Sequence, residues 1–297
     1  MKLKTLIFIW IIIFWLGNTA FCLPWKILHE QSESQDLNQQ ELIVKNNPED
    51  LNNLYLLGLI YFNEYDHQQA KTVFEQMLAI EPDLVEAKWG IAECLRREYR
   101  LELSQKMLEE IIDRQPDFFP AFISLSYIKF NLKEYDQAAK LSDRIIRRGK
   151  KLADRHTLTR AYLIFAGSKG MIAYNGGLLS AFINGSPVFT NLKRARTLMP
   201  DSPEVYYGLG CFYFLAPGAY GGNIDKAKEY LEQAIALDPQ IIDAYVRLAQ
   251  IYKFHGDIDK FDYYLNLALS KEPQNFLAND VKSNTCNFIC LEPELGI

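Results

Sequence analysis

The stretch LNNLYLLGLIYFNEYDHQQAKTVFEQMLAIEPDL, residues 51–84, decides the fold. Counted back from Pro82, it places Leu54, Leu57, Gly58 and Tyr61 on one segment and Ala70 and Phe74 on the next. Apolar residues at steps of three, four and seven give each of two helices one sticky stripe, and small residues such as Gly58 and Ala70 let the pair approach closely. Pro82 ends the second helix. The same ruler recurs along the chain: Pro48, Pro82 and Pro116 follow one another at 34 residues, and Pro239 and Pro273 are again 34 apart.

Counting back from Pro273 gives Tyr245, Leu248, Ala249, Tyr252, Phe261, Leu265 and Ala268, with Phe261 where a small residue is expected. The unit ending at Pro116 is looser, with Lys88, Ile91, Ala92, Leu95, Ser104 and Leu108. Thirty-four residues is the tetratricopeptide period, and residues 31–275 resemble an array of such repeats. The expected fold is therefore all-α, a superhelical solenoid of about six tetratricopeptide-like helix pairs behind an N-terminal export signal. The pairs read as 51–84, 85–118, 119–150, 154–201, 203–241 and 242–275, with a lone helix over 31–45 before them and a tail at 276–297. Turns inside pairs are marked by Glu64-Tyr65-Asp66, Glu134-Tyr135-Asp136, Asn223-Ile224-Asp225 and Asp257-Ile258-Asp259, each with an Asp expected to cap the next helix.

Two units depart from the ruler. From Pro116 to Pro200 the chain holds 16 residues more than two periods, and from Pro200 to Pro239 it holds 5 more than one. Both insertions are read as loops between the helices of a pair. The first, Asn175 to Phe189, has breakers at Gly176, Gly177, Asn184, Gly185 and Pro187 around an apolar centre of Leu178, Leu179, Phe182 and Ile183. The second is Ala216 to Gly222. Equivalent turns of a solenoid line up along one edge, so the two loops are expected to be neighbours.

The N-terminus reads as an export signal over residues 1–22: Lys2 and Lys4 precede an unbroken apolar run from Leu6 to Leu16, and the small residues Ala20 and Cys22 follow. Cleavage after Cys22 gives an extracytoplasmic protein, periplasmic or secreted. Retention as a membrane anchor and lipid attachment at Cys22 are the alternatives, although bulky Phe21 departs from a bacterial lipobox. Cys94 and Cys211 fall within helical patterns as buried thiols, and Cys286 and Cys290 lie close enough in sequence for a local disulfide in an oxidising compartment.

A net charge of −5 gives no attraction for phosphate backbones, so nucleic acid is not an expected partner. The basic run Arg144, Arg147, Arg148, Lys150, Lys151, Arg155 and Arg160 reads as a solvated helix end. Neither a phosphate-cradling glycine loop nor a nucleophile elbow is present, and the four histidines show no ligand spacing, so neither an enzyme nor a cofactor or metal is expected. What remains is a binding surface.

The first helices of the pairs line the concave face of such an array. Their second, fifth, ninth, twelfth and thirteenth places supply the candidates Tyr55, Phe62 and Asn63, then Trp89, Arg96 and Arg97, then Tyr127, Phe130 and Asn131. Phe182 and Tyr220 are added from the two insertions. Aromatic and arginine side chains are the ones that concentrate binding energy, and this mixture suits a protein or peptide partner or an apolar ligand. A membrane contact is expected only through an uncleaved N-terminal anchor or a lipid. Residues Leu215 to Lys228 (LAPGAYGGNIDKAK), followed by His255 to Phe261 (HGDIDKF), resemble the T-component of TRAP-type transporters. That resemblance covers the last third and implies a periplasmic accessory that handles an apolar solute or contacts a solute-binding protein.

Overall fold

A computed structural model describes residues 23–149, 151–286 and 288. The expected export signal and Cys290 lie outside these residues. Every regular element among the described residues is helical, and the chain divides into two compact units, Met1–Cys94 and Leu95–Ile297.

The first unit contains α1 (Trp25–Gln31), α2 (Leu37–Asn46), α3 (Leu51–Asn63), α4 (His67–Ile80) and the start of α5 (Val85–Arg97). The helix expected over 31–45 runs from Leu37 to Asn46, because Asp36 accepts a hydrogen bond from the Gln39 N–H and starts it there, and α1 is a further helix before it. Helices α3 and α4 form a packed pair, with α1 and α2 laid against α3. Leu54, Tyr55, Phe74, Ala70 and Met77 are fully enclosed between them.

The second unit contains α6 (Leu101–Arg114), α7 (Phe119–Asn131), α8 (Tyr135–Arg148), α9 (Arg155–Asn175), α10 (Gly177–Leu198), α11 (Pro203–Leu215), α12 (Ile224–Leu237), α13 (Ile242–Phe254), α14 (Ile258–Lys271) and α15 (Phe276–Ser283). Sequential helices pack on one another from α6 to α10 and again from α10 to α15. One apolar core lies between α11, α12 and α13 around Phe214, Leu231 and Leu248. A second joins α13, α14 and α15 around Val246, Ala268 and Ala278 and takes in Phe288 beyond α15. The expected tail thus begins with a helix that closes the last core.

The 34-residue period is also written in the backbone. Tyr65, Tyr99 and Lys133 all have positive φ, at 61°, 60° and 64°, and each stands 34 residues from the next. Gly256, with φ 77°, occupies the same place relative to Pro273 that Tyr65 occupies relative to Pro82. A left-handed residue lets the chain leave one helix and re-enter the next within three or four residues. The following residue then caps the second helix. Asp66 and Asp257 do so by accepting from the Gln69 and Lys260 N–H groups, whereas Arg100 and Glu134 at that place make no side-chain cap bond.

This geometry corrects the expected caps. Only Asp66 is an Asp that follows its apolar neighbour and caps; at the other turns Asn223 and Asp257 cap from before the isoleucine, and Asp136, Asp225 and Asp259 fall in the first helical turn. The identical words Glu64-Tyr65-Asp66 and Glu134-Tyr135-Asp136 sit two residues out of step with the period. Tyr65 is the exposed left-handed turn residue, whereas Tyr135 is the buried first residue of α8.

The first insertion is a second correction. Asn175 to Phe189 is not a loop: α9 and α10 extend to 21 and 22 residues, meet at Gly176 and Gly177, and pack against each other. Gly177 takes φ 73°, the turn conformation that glycine tolerates best. Pro187 lies inside α10 rather than ending it. The second insertion holds a short 3-10 turn at Gly218–Tyr220.

Candidate functional site

In the first unit, Tyr55, Phe62 and Trp89 come together. Tyr55 and Trp89 stand edge-on with centroids 6.3 Å apart, Phe62 and Trp89 stand edge-on at 6.1 Å, and Phe62 lies 5.3 Å from Phe74. The side they present is already filled. His29 of α1 packs 5.4 Å from the Trp89 ring, and its Nε2 is 2.9 Å from the Tyr55 hydroxyl. The Leu23 N–H donates to the buried Glu86 carboxylate at 3.0 Å, and Trp25 and Leu28 are buried. Asn63 Nδ2 donates to the Ser32 carbonyl at 3.0 Å. Apolar rings on an inward face are covered by whatever apolar chain is at hand, here residues 23–32, since leaving them wet is unfavourable.

In the second unit, Arg96 lies 4.5 Å over the ring of Tyr127, whose hydroxyl is hydrogen-bonded to Asn131. Loss of hydration, and next the carboxylate of Asp243, push the Tyr127 phenol up to about 12. Phe130 turns away to meet Tyr135 edge-on at 5.4 Å, so it serves packing. Arg97 is half-buried. Phe182 and Tyr220 are 69% and 60% exposed. Phe189 stacks on Phe212 at 4.9 Å, and Gly221 also approaches Phe212, so the end of the first insertion and the second insertion meet on one ring.

Sequence reasoning missed Asp243, whose carboxylate acts on Tyr127, and the buried polar residues around it. Arg247 is 5% exposed and hydrogen-bonds to Tyr207 and Cys211; it also donates to Gln250 Oε1 at 2.8 Å and to the Phe288 carbonyl at 3.0 Å. Burial works against the Arg247 charge, but Cys211, Tyr207 and Asp243 more than offset it and hold the guanidinium above its ordinary range. Burial raises the Asp243 carboxyl, opposed by the Asn275 amide, which donates at 2.8 Å. Burial likewise raises the Cys211 thiol, with Arg247 pulling the other way. Counting the same second, fifth and ninth places from Pro203 and Ile242 lands on Glu204, Tyr207, Cys211, Asp243, Val246 and Gln250, and passes Arg247 by one residue. The signal was present in the last two pairs and was read only in the first three.

The second unit therefore holds two linked polar groups, Arg96, Asn131 and Asp243 around Tyr127, and Arg247 with Gln250; Arg247 grips the Phe288 carbonyl, while the Phe288 side chain is enclosed by apolar residues such as Tyr245, Val246 and Leu277. The basic run has no such focus: Arg147 pairs with Asp143, Arg148 with Asp117 and Arg160 with Glu204, and Arg144 lies over Phe122. Among the described residues no group of His, Cys, Asp or Glu is placed to hold a metal ion.

Comparison with known proteins agrees with the helical pairs. The chain is similar in structure to a tetratricopeptide repeat protein from Parabacteroides merdae, with TM-score 0.53 and 16% identity over 89% of this chain and 99% of that one. It is also similar to a chain of the APC/C hetero-tetramer Cut9-Hcn1, with TM-score 0.57 and 16% identity over 86% of this chain, and it spans 47% of that longer chain. No curated protein sequence matches. Models of the tetratricopeptide repeat match residues 61–126 and, as consecutive units, 220–241 and 242–275. The chain is all-helical among its described residues and carries tetratricopeptide repeats.

Proposed function

We propose that this protein is an exported, non-catalytic scaffold whose second unit docks a segment of a protein partner on its inner face. The observation that carries the reading is Arg247: a buried guanidinium donating to a backbone carbonyl while the apolar side chain of the same residue, Phe288, is enclosed by Tyr245, Val246 and Leu277. A partner segment with a bulky apolar side chain presents the same two features. Arg96 and Tyr127 extend that face with the cation and aromatic groups that dominate protein interfaces. Export rests on Lys2, Lys4 and the apolar run Leu6 to Leu16. It also fits the disulfide-bonded state of Cys286, since such bonds persist in oxidising compartments. A narrower version, an accessory like the TRAP T-component, rests on the sequence of residues 215–228 and 255–261 alone.

The test places a photo-crosslinking amino acid at Tyr127 of the full-length chain in its own cells. The reading expects an adduct to a defined protein segment, weakened at least tenfold by Arg96→Ala with Arg247→Gln. An adduct only to the chain's own C-terminal segment, or none from a folded protein, rejects it.

A further inference from the structure

The hairpin of α9 and α10 is charged unlike the rest of the chain. Residues 155–200 contain Arg155, Arg160, Lys169, Lys193, Arg194 and Arg196 and no Asp or Glu, in a protein whose net charge is −5. Residues 170–192, around the turn, contain no charged residue and no histidine. Within this span Tyr174, Leu178, Leu179, Phe182 and Ile183 are 59%, 94%, 73%, 69% and 59% exposed. On α10 these positions, 178, 179, 182 and 183, share one helical face.

The polar side chains point the other way. Ser180 Oγ donates to the Ile172 carbonyl at 2.9 Å, Asn184 Nδ2 donates to Ser180 Oγ at 3.1 Å, and Lys169 Nζ donates to Asn184 Oδ1 at 2.9 Å. The end of the hairpin is thus inside-out relative to a helix that meets water: hydrogen-bonding groups are spent between the two helices, and large apolar groups face outward. Soluble proteins rarely leave apolar patches above roughly 300–600 Å² open. Lys169 lies seven residues before the turn, about 10 Å along the axis. Interfacial helices bury their apolar faces about 5–10 Å into the boundary between headgroups and acyl chains.

From these observations we propose that the end of the α9–α10 hairpin inserts into the surface of an anionic lipid bilayer. Leu178, Leu179, Phe182 and Ile183 enter the acyl boundary, Tyr174 sits at the interface, and Lys169, the cation nearest the turn, exchanges its bond to Asn184 for the headgroup phosphates. Residues 155–200 hold no acidic group to oppose the Lys169 contact, which favours an anionic surface over a neutral one. The insertion is shallow, since none of the described helices is long and apolar enough to cross a membrane. This contact is separate from the Leu6 to Leu16 run and from the inner face around Arg247, so it stands or falls independently of the scaffold reading.

The test uses the full-length protein with vesicles of phosphatidylcholine alone and of phosphatidylcholine with phosphatidylglycerol. Leu178→Glu combined with Phe182→Glu, at exposed positions that leave the helical spectrum unchanged, is expected to lower partition onto the anionic vesicles at least tenfold, and Lys169→Gln to reduce the preference for anionic over neutral vesicles. Because the N-terminal run can hold either form on a vesicle, Leu178→Trp supplies a readout of place. Its added emission should shift to the blue and be quenched by lipids brominated near the top of their chains. Unquenched emission from Leu178→Trp on bound vesicles overturns the proposal. So does a double variant that turns an oligomer into a monomer without lipid while quenching of Leu178→Trp is absent, which assigns the face to a second copy of the chain.

Discussion

The ring of Phe74 on α4 fills the space that a side chain at Gly90 on α5 would need: a Cβ built on Gly90 would stand 2.4 Å from Phe74 Cγ. On its other side the same ring touches Gly58 of α3, where a Cβ would come within 2.6 Å of Cζ. One aromatic ring is thus seated between two glycines, and its position holds three helices of the first unit together.

That arrangement ranks two substitutions. Gly90→Ala strikes the root of the ring, which cannot swing away, and should cost about 2–3 kcal/mol; Gly58→Ala meets the far end and should cost about 1–2 kcal/mol. Urea unfolding of the two variants gives the order, and equal midpoints would contradict it.

The turn residue Lys133 and the cap residue Arg100 are the weak members of their repeat positions. Lys133→Gly relieves a left-handed φ of 64° and is expected to stabilise by about 0.5–1 kcal/mol. Arg100→Asp supplies the cap that Asp66 and Asp257 already provide and is expected to add about 0.5–1 kcal/mol. Thermal melting should show both gains, and their sum in the double variant.

Pro187 interrupts the hydrogen-bond ladder of α10. Its replacement by alanine restores the bond to the Ile183 carbonyl and should stabilise the hairpin by about 1–3 kcal/mol. Hydrogen exchange around residues 183–187 should slow, and an unchanged rate would show that the ladder is already satisfied there.

Asp243 gives a pH dependence with a definite sign. Burial raises its carboxyl in the folded state, so the native chain binds the proton more tightly than the unfolded one. Its contribution to stability is fully present below the ordinary Asp range and is lost as pH rises through the raised folded value. Asp243→Asn should remove that loss, flattening the stability curve above about pH 4. A variant curve parallel to the parent curve over the same range would contradict it.

The sequence by itself determined the helical class and the period. Prolines 34 residues apart, with Leu54, Gly58, Ala70 and Phe74 in fixed register, leave no other way to bury the apolar stripes than helix against helix. It also put Tyr55 with Phe62, and Trp89 with Arg96, on one side of their helices, because the 3.6-residue turn fixes which side of a helix a position occupies. What it could not determine is what covers a face, since that depends on contacts between residues far apart in the chain. Only the tertiary structure laid residues 23–32 over Tyr55 and Trp89, and set Phe288 against Arg247, 41 positions earlier. The same limit explains the hairpin. Gly176, Gly185 and Pro187 read locally as a loop, yet α9 and α10 packed side by side keep the segment helical, because each helix supplies the neighbour that the other lacks.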